Sequence, residues 1–551
     1  MSTLFEQLLR VRHLEADFLS PKYEECYDPD FLPDLPEAVA RIVQAVSRGE
    51  KVLIYGDYDV DGVTASTALF DALSLTGLKD IQVMLPNRFT DGYGMSEKIV
   101  ERAHETGVKL VITVDCGSRN HDIIAELKAA GIDTIVTDHH ECGETLPAAV
   151  AVVNAKRGDA TEVVARQLPE AKNIVQTVQD LRGLAGVGVV FKLAQGLVKA
   201  GVLPAGQEKW LLDLVLIGTI CDNMVLMGEN RRLCYFGMKV LAKTRRPGLK
   251  ELMRVAGTKQ IDSETIGFQI GPRLNAAGRM ETAEHALRLL MAKQKVLAVK
   301  LARALEDLNS ARKRQQLGAI EEIHHRGVGN QPVIVECGQW HEGVLGIIAG
   351  RLLEEYHRPA FVLAEVDGCL KGSGRSFGEF NLADALAVCD QYILGGGGHA
   401  EACGLRVSSD GLTGFREAVN SYYQSLNLVD QERYFEVQED LVVEEFEEFS
   451  LELMESLRLL EPYGHGNMEP VFLLPEVKVV DVAKMGSDGQ HLRLTVWDRN
   501  GRSLKLMCFS APENYLRLRG GEIVNVWINL VDNEFRGIRS VEGRILRLVV
   551  V

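Results

Sequence analysis

The stretch KVLIYGDYDVDGVTASTALF, residues 51–70, carries an aliphatic segment into a loop holding Asp57, Asp59 and Asp61, then into a helical run. From there to about residue 140 short β-branched runs (IQVMLP, KLVITVD, TIVTD) alternate with helical ones such as HDIIAELKAAGI. Strands alternating with helices predict a parallel, doubly wound sheet. In such a sheet the residues just past the carboxyl ends of the strands meet in one crevice.

Those positions are acidic. Asp115 follows the strand KLVITV, Asp138, His139 and His140 follow TIVT, and Asp222 ends the later apolar run LLDLVLIGTIC. Counting Asp57, Asp59, Asp61, Asp115 and Asp222, five carboxylates and two histidines then share one pocket. Like charges at that density raise one another's pKa unless a cation compensates them. Oxygen-rich ligands with one or two imidazoles favour Mn²⁺ or Mg²⁺ over Zn²⁺. The surplus of carboxylates suggests two ions about 3.5–4 Å apart, an arrangement suited to in-line attack on phosphorus. An Asp after a strand can also simply cap the next helix. Capping accounts for one such aspartate and not for the whole set.

A chain of 551 residues exceeds one hydrophobic core and predicts roughly three or four units. No apolar run approaches the ~18–20 residues of a membrane helix, and MSTLFEQLLRVRHLEADF lacks the h-region of a signal peptide, so the cytoplasm is the expected location. Ten cysteines without a CxxC pair read as reduced, packed thiols. The net charge of −16 argues against non-specific coating of nucleic acid; any groove for it must concentrate the basic residues.

Residues 1–48 read as an N-terminal helical segment and 49–281 as the first α/β unit, whose second half is mostly helical. The polar stretch 156–180 reads as a loop or a weakly amphipathic excursion. Residues 282–328 contain no Pro, and no Gly until Gly318, and predict one long connecting helix. A second α/β unit covers 329–428, and 429–551 ends in five short strands that suggest a small barrel of OB type.

YGDYDVDGVTAS, VDCGS, TDHH and GTICDN, in this order, resemble the four acidic motifs of the DHH phosphoesterase superfamily. LRGLAGVGVVFKL, GPRLNAAGRM, WHEGVLGIIAGRL, KGSGRS, GGGGHAEACG and EPYGHGNMEPVF resemble the RecJ single-strand-specific DNA exonucleases. The resemblance implies a DHH domain at 49–281, a DHH-associated domain at 329–428 and an OB-fold at 429–551. It implies metal ligation by Asp59, Asp61, Asp115, His139 and Asp222, with Asp115 as the bridge. Many relatives carry a ligating His where Tyr55 stands here, and Asp57 is a further ligand candidate. His140 is expected beside the scissile phosphate, donating a hydrogen bond or a proton. Asp138 is expected to orient the histidine pair or to assist the metal indirectly.

Arg88, Arg273, Asn275, Arg279, Ser373 and Arg375 resemble family positions that hold the DNA backbone and its 5′-phosphate, a task suited to guanidinium forks. GGGGHAEACG reads either as a flexible connection or as a loop whose glycines let backbone N–H groups approach a phosphate and turn His399 toward the substrate path. In the barrel Trp497, Phe509, Trp527 and Phe535 are the aromatics available for base stacking, and most read as core.

The expected protein is a monomeric, metal-dependent exonuclease that removes mononucleotides from the 5′ end of single-stranded DNA in repair and recombination. The polarity, and cooperation with a helicase and a single-strand-binding protein, come with the resemblance. The rivals are a DHH phosphodiesterase of short oligonucleotides, cyclic dinucleotides or polyphosphate, and an inactive DHH scaffold that binds DNA. The chain departs from the family pattern in VVNAKRGD, which lacks a Pro after Asn154, in CDNMV, and in His465, which replaces a small residue.

Overall fold

The structure is a computed structural model and describes residues 3–92, 94–168, 173–486 and 488–551. Its first sheet comprises β1 (Val52–Gly56), β2 (Ile81–Met84), β3 (Leu110–Val114), β4 (Asp133–Thr137) and β5 (Ala151–Val153), in the order β2-β1-β3-β4-β5. All pairings are parallel, with Val52 beside both Ile81 and Leu110. β1 is buried along its whole length because both faces are covered. Val52 and Ile54 pack toward the helices Leu35–Arg48, Val60–Ser74, Gly186–Lys199 and Leu212–Cys221. Leu53 and Tyr55 pack toward Lys98–Thr106 and His121–Ala129. The strand order reverses at β1, so the loops after β1 and β3 open side by side, as a switch-point crevice requires.

The stretch expected as one helix over 282–328 is two helices, Glu284–Leu290 and Lys295–Arg326. Gln294, in extended conformation, starts the second. The break turns Leu287, Leu289 and Leu290 into the same core that receives Leu301 and Leu305, so the apolar spacing runs on across it and hides it. The far end of the long helix buries Ala319, Ile320 and Ile323 against the next unit. That unit holds β6 (Ile334–Gly338), β7 (Ala360–Val366), β8 (Cys369–Arg375), β9 (Ile393–Gly398) and β10 (Ala402–Val407), ordered β6-β7-β8-β10-β9. Only β6 and β7 pair in parallel. The 156–180 stretch contains the helices Ala160–Gln167 and Ile174–Arg182; residues 169–172 between them lie outside the described residues.

The C-terminal strands are β11 (Leu441–Val442), β12 (Phe472–Met485), β13 (His491–Trp497), β14 (Ser503–Cys508), β15 (Ile523–Phe535) and β16 (Ile538–Val550). Pairing of β12 with β15 closes β12 to β16 into a five-stranded barrel, and β11 adds to β12. The first helix of the chain, Thr3–Val11, inserts Leu4, Phe5 and Leu8 into the barrel's core, while Leu35–Arg48 belongs to the first sheet. The N-terminal segment is thus shared between the two ends of the protein. Arg12 ties it down through paired bonds to Asp440, 2.6 and 2.7 Å long. Among the described residues no single helix is long and apolar enough to cross a membrane.

Leu8 is fully buried in the barrel core, so Leu8→Ala should cost about 2–5 kcal/mol there. Hydrogen exchange is expected to accelerate in β12–β16 and to stay unchanged in β1–β5.

Candidate metal centre

The strand ends deliver the acidic side chains to one point. Asp59 caps the helix Val60–Ser74, accepting from Gly62 N at 3.0 Å, yet it also faces Asp57 and Asp115. Capping and ligand placement coexist in that residue. Asp61, in the first turn of that helix, accepts from the backbone N–H groups of Gly186 and Val187, which start the helix Gly186–Lys199. Asp115 sits just past β3 at φ 62°, a left-handed conformation costly for a residue with a side chain. Its Oδ1 lies 3.0 Å from His139 Nε2, which is 3.8 Å from Asp61 and 3.5 Å from Asp222. Asp222 comes from the end of the buried helix Leu212–Cys221, not from a strand.

Ligand atoms of Asp57, Asp59 and Asp115 lie within 4.8 Å of one another, as do those of Asp61, His139 and Asp222, and of Asp115, His139 and His140. Two neighbouring cation positions with Asp115 between them fit this arrangement. Asp57 Oδ1, Asp115 Oδ1 and His139 Nε2 are buried and without a hydrogen-bond partner in the protein. Buried polar atoms left unpaired are costly, and a divalent cation with hard oxygen and imidazole ligands would satisfy all three.

The electrostatics agree. Burial, with Asp59 beside it, pushes Asp57 up to about 8. Burial, with Asp59 again, raises Asp61 to about 7. Burial and Asp61 raise Asp222 to about 8 and hold Asp115 well above the carboxylate range. Burial and the His140 charge lower His139 to about 3, which leaves it neutral, the form a ligand needs. Asp138 behaves oppositely. Burial alone would raise it, but the His140 bond and charge and the Ser118 N–H outweigh that and hold it below the usual range. Its Oδ1 also accepts from the backbone of His139 and His140, and lies 2.8 Å from His140 Nδ1. Burial lowers His140, but the Asp138 bond and charge prevail and raise it to about 9. Asp138 is therefore a buttress that orders the histidine pair and keeps one member charged.

Tyr55 is turned away from the centre: it is fully buried and its hydroxyl donates to Gly94 O at 3.1 Å. Asp57 occupies the crevice in its stead. Gly186 has no sequence signal of its own beyond LRGLAGVG, yet a Cβ there would lie 2.7 Å from Asp115 Cβ, so only glycine lets this helix start against the acidic cluster.

Opposite the acids stands a basic group. Burial, then the charges of Arg88, Arg375 and Arg312, lowers Arg279 to about 9, with Asp59 acting in the other direction. Arg88 lies over the Tyr58 ring at 4.4 Å, and Arg375 donates to Ser373 Oγ at 3.0 Å. Among the described residues none of Arg88, Arg279, Arg312 and Arg375 makes an ion pair within 4.0 Å. Arg312 was missed because a basic helix face reads as solvated. Arg273 differs from the expectation of a substrate contact: it is buried, 2.5 Å from Glu306, and bonded to Gln269 O. Asn275 is half-buried in the same helix. His399 is exposed at the turn between β9 and β10, on the edge of the second sheet. The two α/β units meet over the site, with Phe89 edge-on to His341 at 5.7 Å and Arg279 Nη1 3.5 Å from Gly343 O. In the barrel, Trp497, Phe509 and Phe535 are 42%, 62% and 65% exposed rather than core; Trp527 bonds Glu439.

Family models match three segments: the DHH family N-terminal domain at residues 51–219, the DHHA1 domain at 330–425 and the RecJ OB domain at 441–546. The single-stranded-DNA-specific exonuclease RecJ of Bacillus subtilis is 35% identical over 93% of this chain, which spans 64% of that protein's length. The protein of the same description in Haemophilus influenzae is 33% identical over 98% of this chain and 95% of its own. Crystal structures of RecJ from Thermus thermophilus in complex with Mn²⁺ and Mg²⁺ match 99% of this chain and 75% and 74% of theirs, with TM-scores of 0.81 and 0.77 at 29% and 27% identity.

Asp57, Asp61 and Asp222 ionise near 4 in an unfolded chain and at about 7–8 in the fold. Across that window the unfolded state binds fewer protons, so the metal-free protein should lose stability as pH rises from about 4 to about 8. Added Mn²⁺ should reverse the loss, bind more tightly as pH rises through this window and release protons at pH ~7, read by calorimetry in buffers of different ionisation enthalpy.

Proposed function

This chain belongs to the RecJ family, and on that premise we propose that it hydrolyses single-stranded DNA from the 5′ end, releasing mononucleotides, with Mn²⁺ or Mg²⁺ at the acidic centre. The observation that carries this reading is the pairing of a buried carboxylate and imidazole cluster with four guanidinium groups that, among the described residues, make no ion pair within 4.0 Å. In a chain of net charge −16, uncompensated arginines gathered at one point call for an anion, and a phosphodiester is the anion that a divalent-cation centre hydrolyses.

Asp57, Asp59, Asp61, Asp115, His139 and Asp222 would hold the cations, which would supply polarisation of phosphoryl oxygens and acidification of water. The protein supplies the rest. Asp138 holds His140 as a charged donor beside the leaving oxygen, where it can give up its proton as the P–O bond breaks. Arg279, Arg88 and Arg375 with Ser373 grip the backbone and the terminal phosphate, and Arg312 extends that surface. Arg273 acts indirectly, steadying the helix Gly271–Met280 through Glu306. The loop of Arg88 and Phe89 against His341 bounds the path of the strand, and Trp497, Phe509 and Phe535 offer stacking faces for bases farther along it. A cell exposes single strands by unwinding duplex, so a helicase and a single-strand-binding protein are the partners this activity calls for in repair and recombination.

Degradation of 5′- and 3′-labelled single strands beside a duplex, with Mn²⁺ or Mg²⁺, tests the reading. The 5′ label should leave first as a mononucleotide and the duplex should persist; faster cleavage of a dinucleotide than of a long strand overturns the proposal. Asp115→Ala should abolish turnover, and Asp115→Asn should impair it more than Asp138→Asn.

Arg279→Met should lower kcat/KM about 10- to 100-fold, the ~1.5–3 kcal/mol of a charge-assisted contact. Phe509→Ala should raise KM for long strands, by up to the ~1–3 kcal/mol of a stacked base, and leave short oligonucleotides unaffected.

A further inference from the structure

Asp222 is more exposed than the metal-ligand candidates it faces. Its side chain is 27% exposed, against 1–9% for Asp61, Asp115 and His139. Asp61 accepts two backbone N–H bonds, whereas among the described residues the carboxylates of Asp115 and Asp222 accept none. The aim of Asp222 therefore depends on the backbone that carries it, the end of the helix Leu212–Cys221 and the turn that follows.

That turn is gripped from the segment entering the barrel. In EPYGHGN, residues 461–467, the buried Asn467 donates to Leu460 O and Pro462 O, and Gly464 and Asn467 exchange backbone bonds of 2.9 and 3.0 Å. The tip, residues 464–466, presses on residues 223–226. A Cβ at Gly464 would lie 2.7 Å from Leu226 Cδ1, and one at Gly466 would lie 2.7 Å from Val225 Cγ1. Leu226 N donates to His465 O at 2.7 Å, a bond any residue at 465 could accept. The second bond needs the imidazole: His465 Nδ1 lies 3.0 Å from Asn223 O, and a carbonyl only accepts, so Nδ1 carries the proton. Asn223 adopts φ 53°, a left-handed conformation that asparagine tolerates better than most residues. Two departures from the family pattern, Asn223 and His465, thus touch each other next to a ligand.

We infer that His465 is a positioning residue: by holding the Asn223 carbonyl it fixes the turn that aims Asp222 at the metal centre, and so links the barrel's lead-in segment to metal affinity. The inference rests on the metal-centre reading above. A small residue at 465 keeps the backbone bond and loses this one. Loss of a partner that orients a ligand costs metal affinity roughly 10-fold or more.

The test uses full-length His465→Ala and His465→Asn, with Asp115→Ala as control, and titrates Mn²⁺ by electron paramagnetic resonance. His465→Ala should weaken one ion roughly 10-fold and leave the melting midpoint of the metal-free protein unchanged. Its kcat should fall at limiting Mn²⁺ and recover at saturation, with KM for single strands unaltered. His465→Asn, whose Nδ2 occupies the place of Nδ1, should retain wild-type affinity. Wild-type Mn²⁺ affinity in His465→Ala, equal loss in both variants, or loss of both ions with a lowered metal-free midpoint overturns the inference. Asp115→Ala should lose both ions; if it binds them normally the metal-centre reading itself fails, whereas failure of His465→Ala alone removes only the positioning role.

Discussion

The protein is organised around the mutual repulsion of buried carboxylates at the mouth of a parallel sheet. Asp57, Asp61 and Asp115 are almost inaccessible to water, and their elevated pKa values express first the cost of burial and then that of keeping them together. The fold offsets part of that cost with the two N–H groups at the start of Gly186–Lys199 and leaves the remainder to a divalent cation. The centre is unsatisfied by the protein alone, and that is what prepares it to hold metal.

A second imbalance faces the first. Arg88, Arg279, Arg312 and Arg375 come from four separate segments, and each depresses or is depressed by a neighbour's charge or by burial. Acidic and basic groups act on each other, Arg88 on Asp57 and Asp59 on Arg279, without closing into ion pairs among the described residues. A phosphodiester, anionic yet carrying oxygens that cations polarise, suits that pairing of charges better than a neutral substrate or a free cation would.

The barrel is bound into this arrangement rather than tethered beside it. The helix Thr3–Val11 lies in the barrel core, and the buried Arg231 of the first unit donates to Phe18 O, Leu459 O, Leu460 O and Glu461 O. Burial lowers that guanidinium to about 10, and carbonyl oxygens carry its solvation in place of water. The exposed aromatics of the barrel and the acidic centre are thereby held in a defined relation.

The gathering of the acidic residues was legible in the sequence because strand ends are: once a strand and helix alternate, Asp57, Asp59, Asp61, Asp115, Asp138, His139 and His140 have to emerge at one edge. The alternation also announced the barrel strands. What spacing could not convey was partnership across the chain. It did not show that Tyr55 turns toward Gly94, that Arg273 is taken by Glu306, or that apolar periodicity continues through a helix break at 291–294. Nor could it tell that Phe509 and Phe535 lie outside the barrel while Phe5, from the other end of the chain, lies inside. Local pattern decides which residues share a face, because period and backbone sterics act over a few residues. Which faces meet, and which charge finds a partner, depends on contacts hundreds of residues apart, and those exist only once the chain is packed.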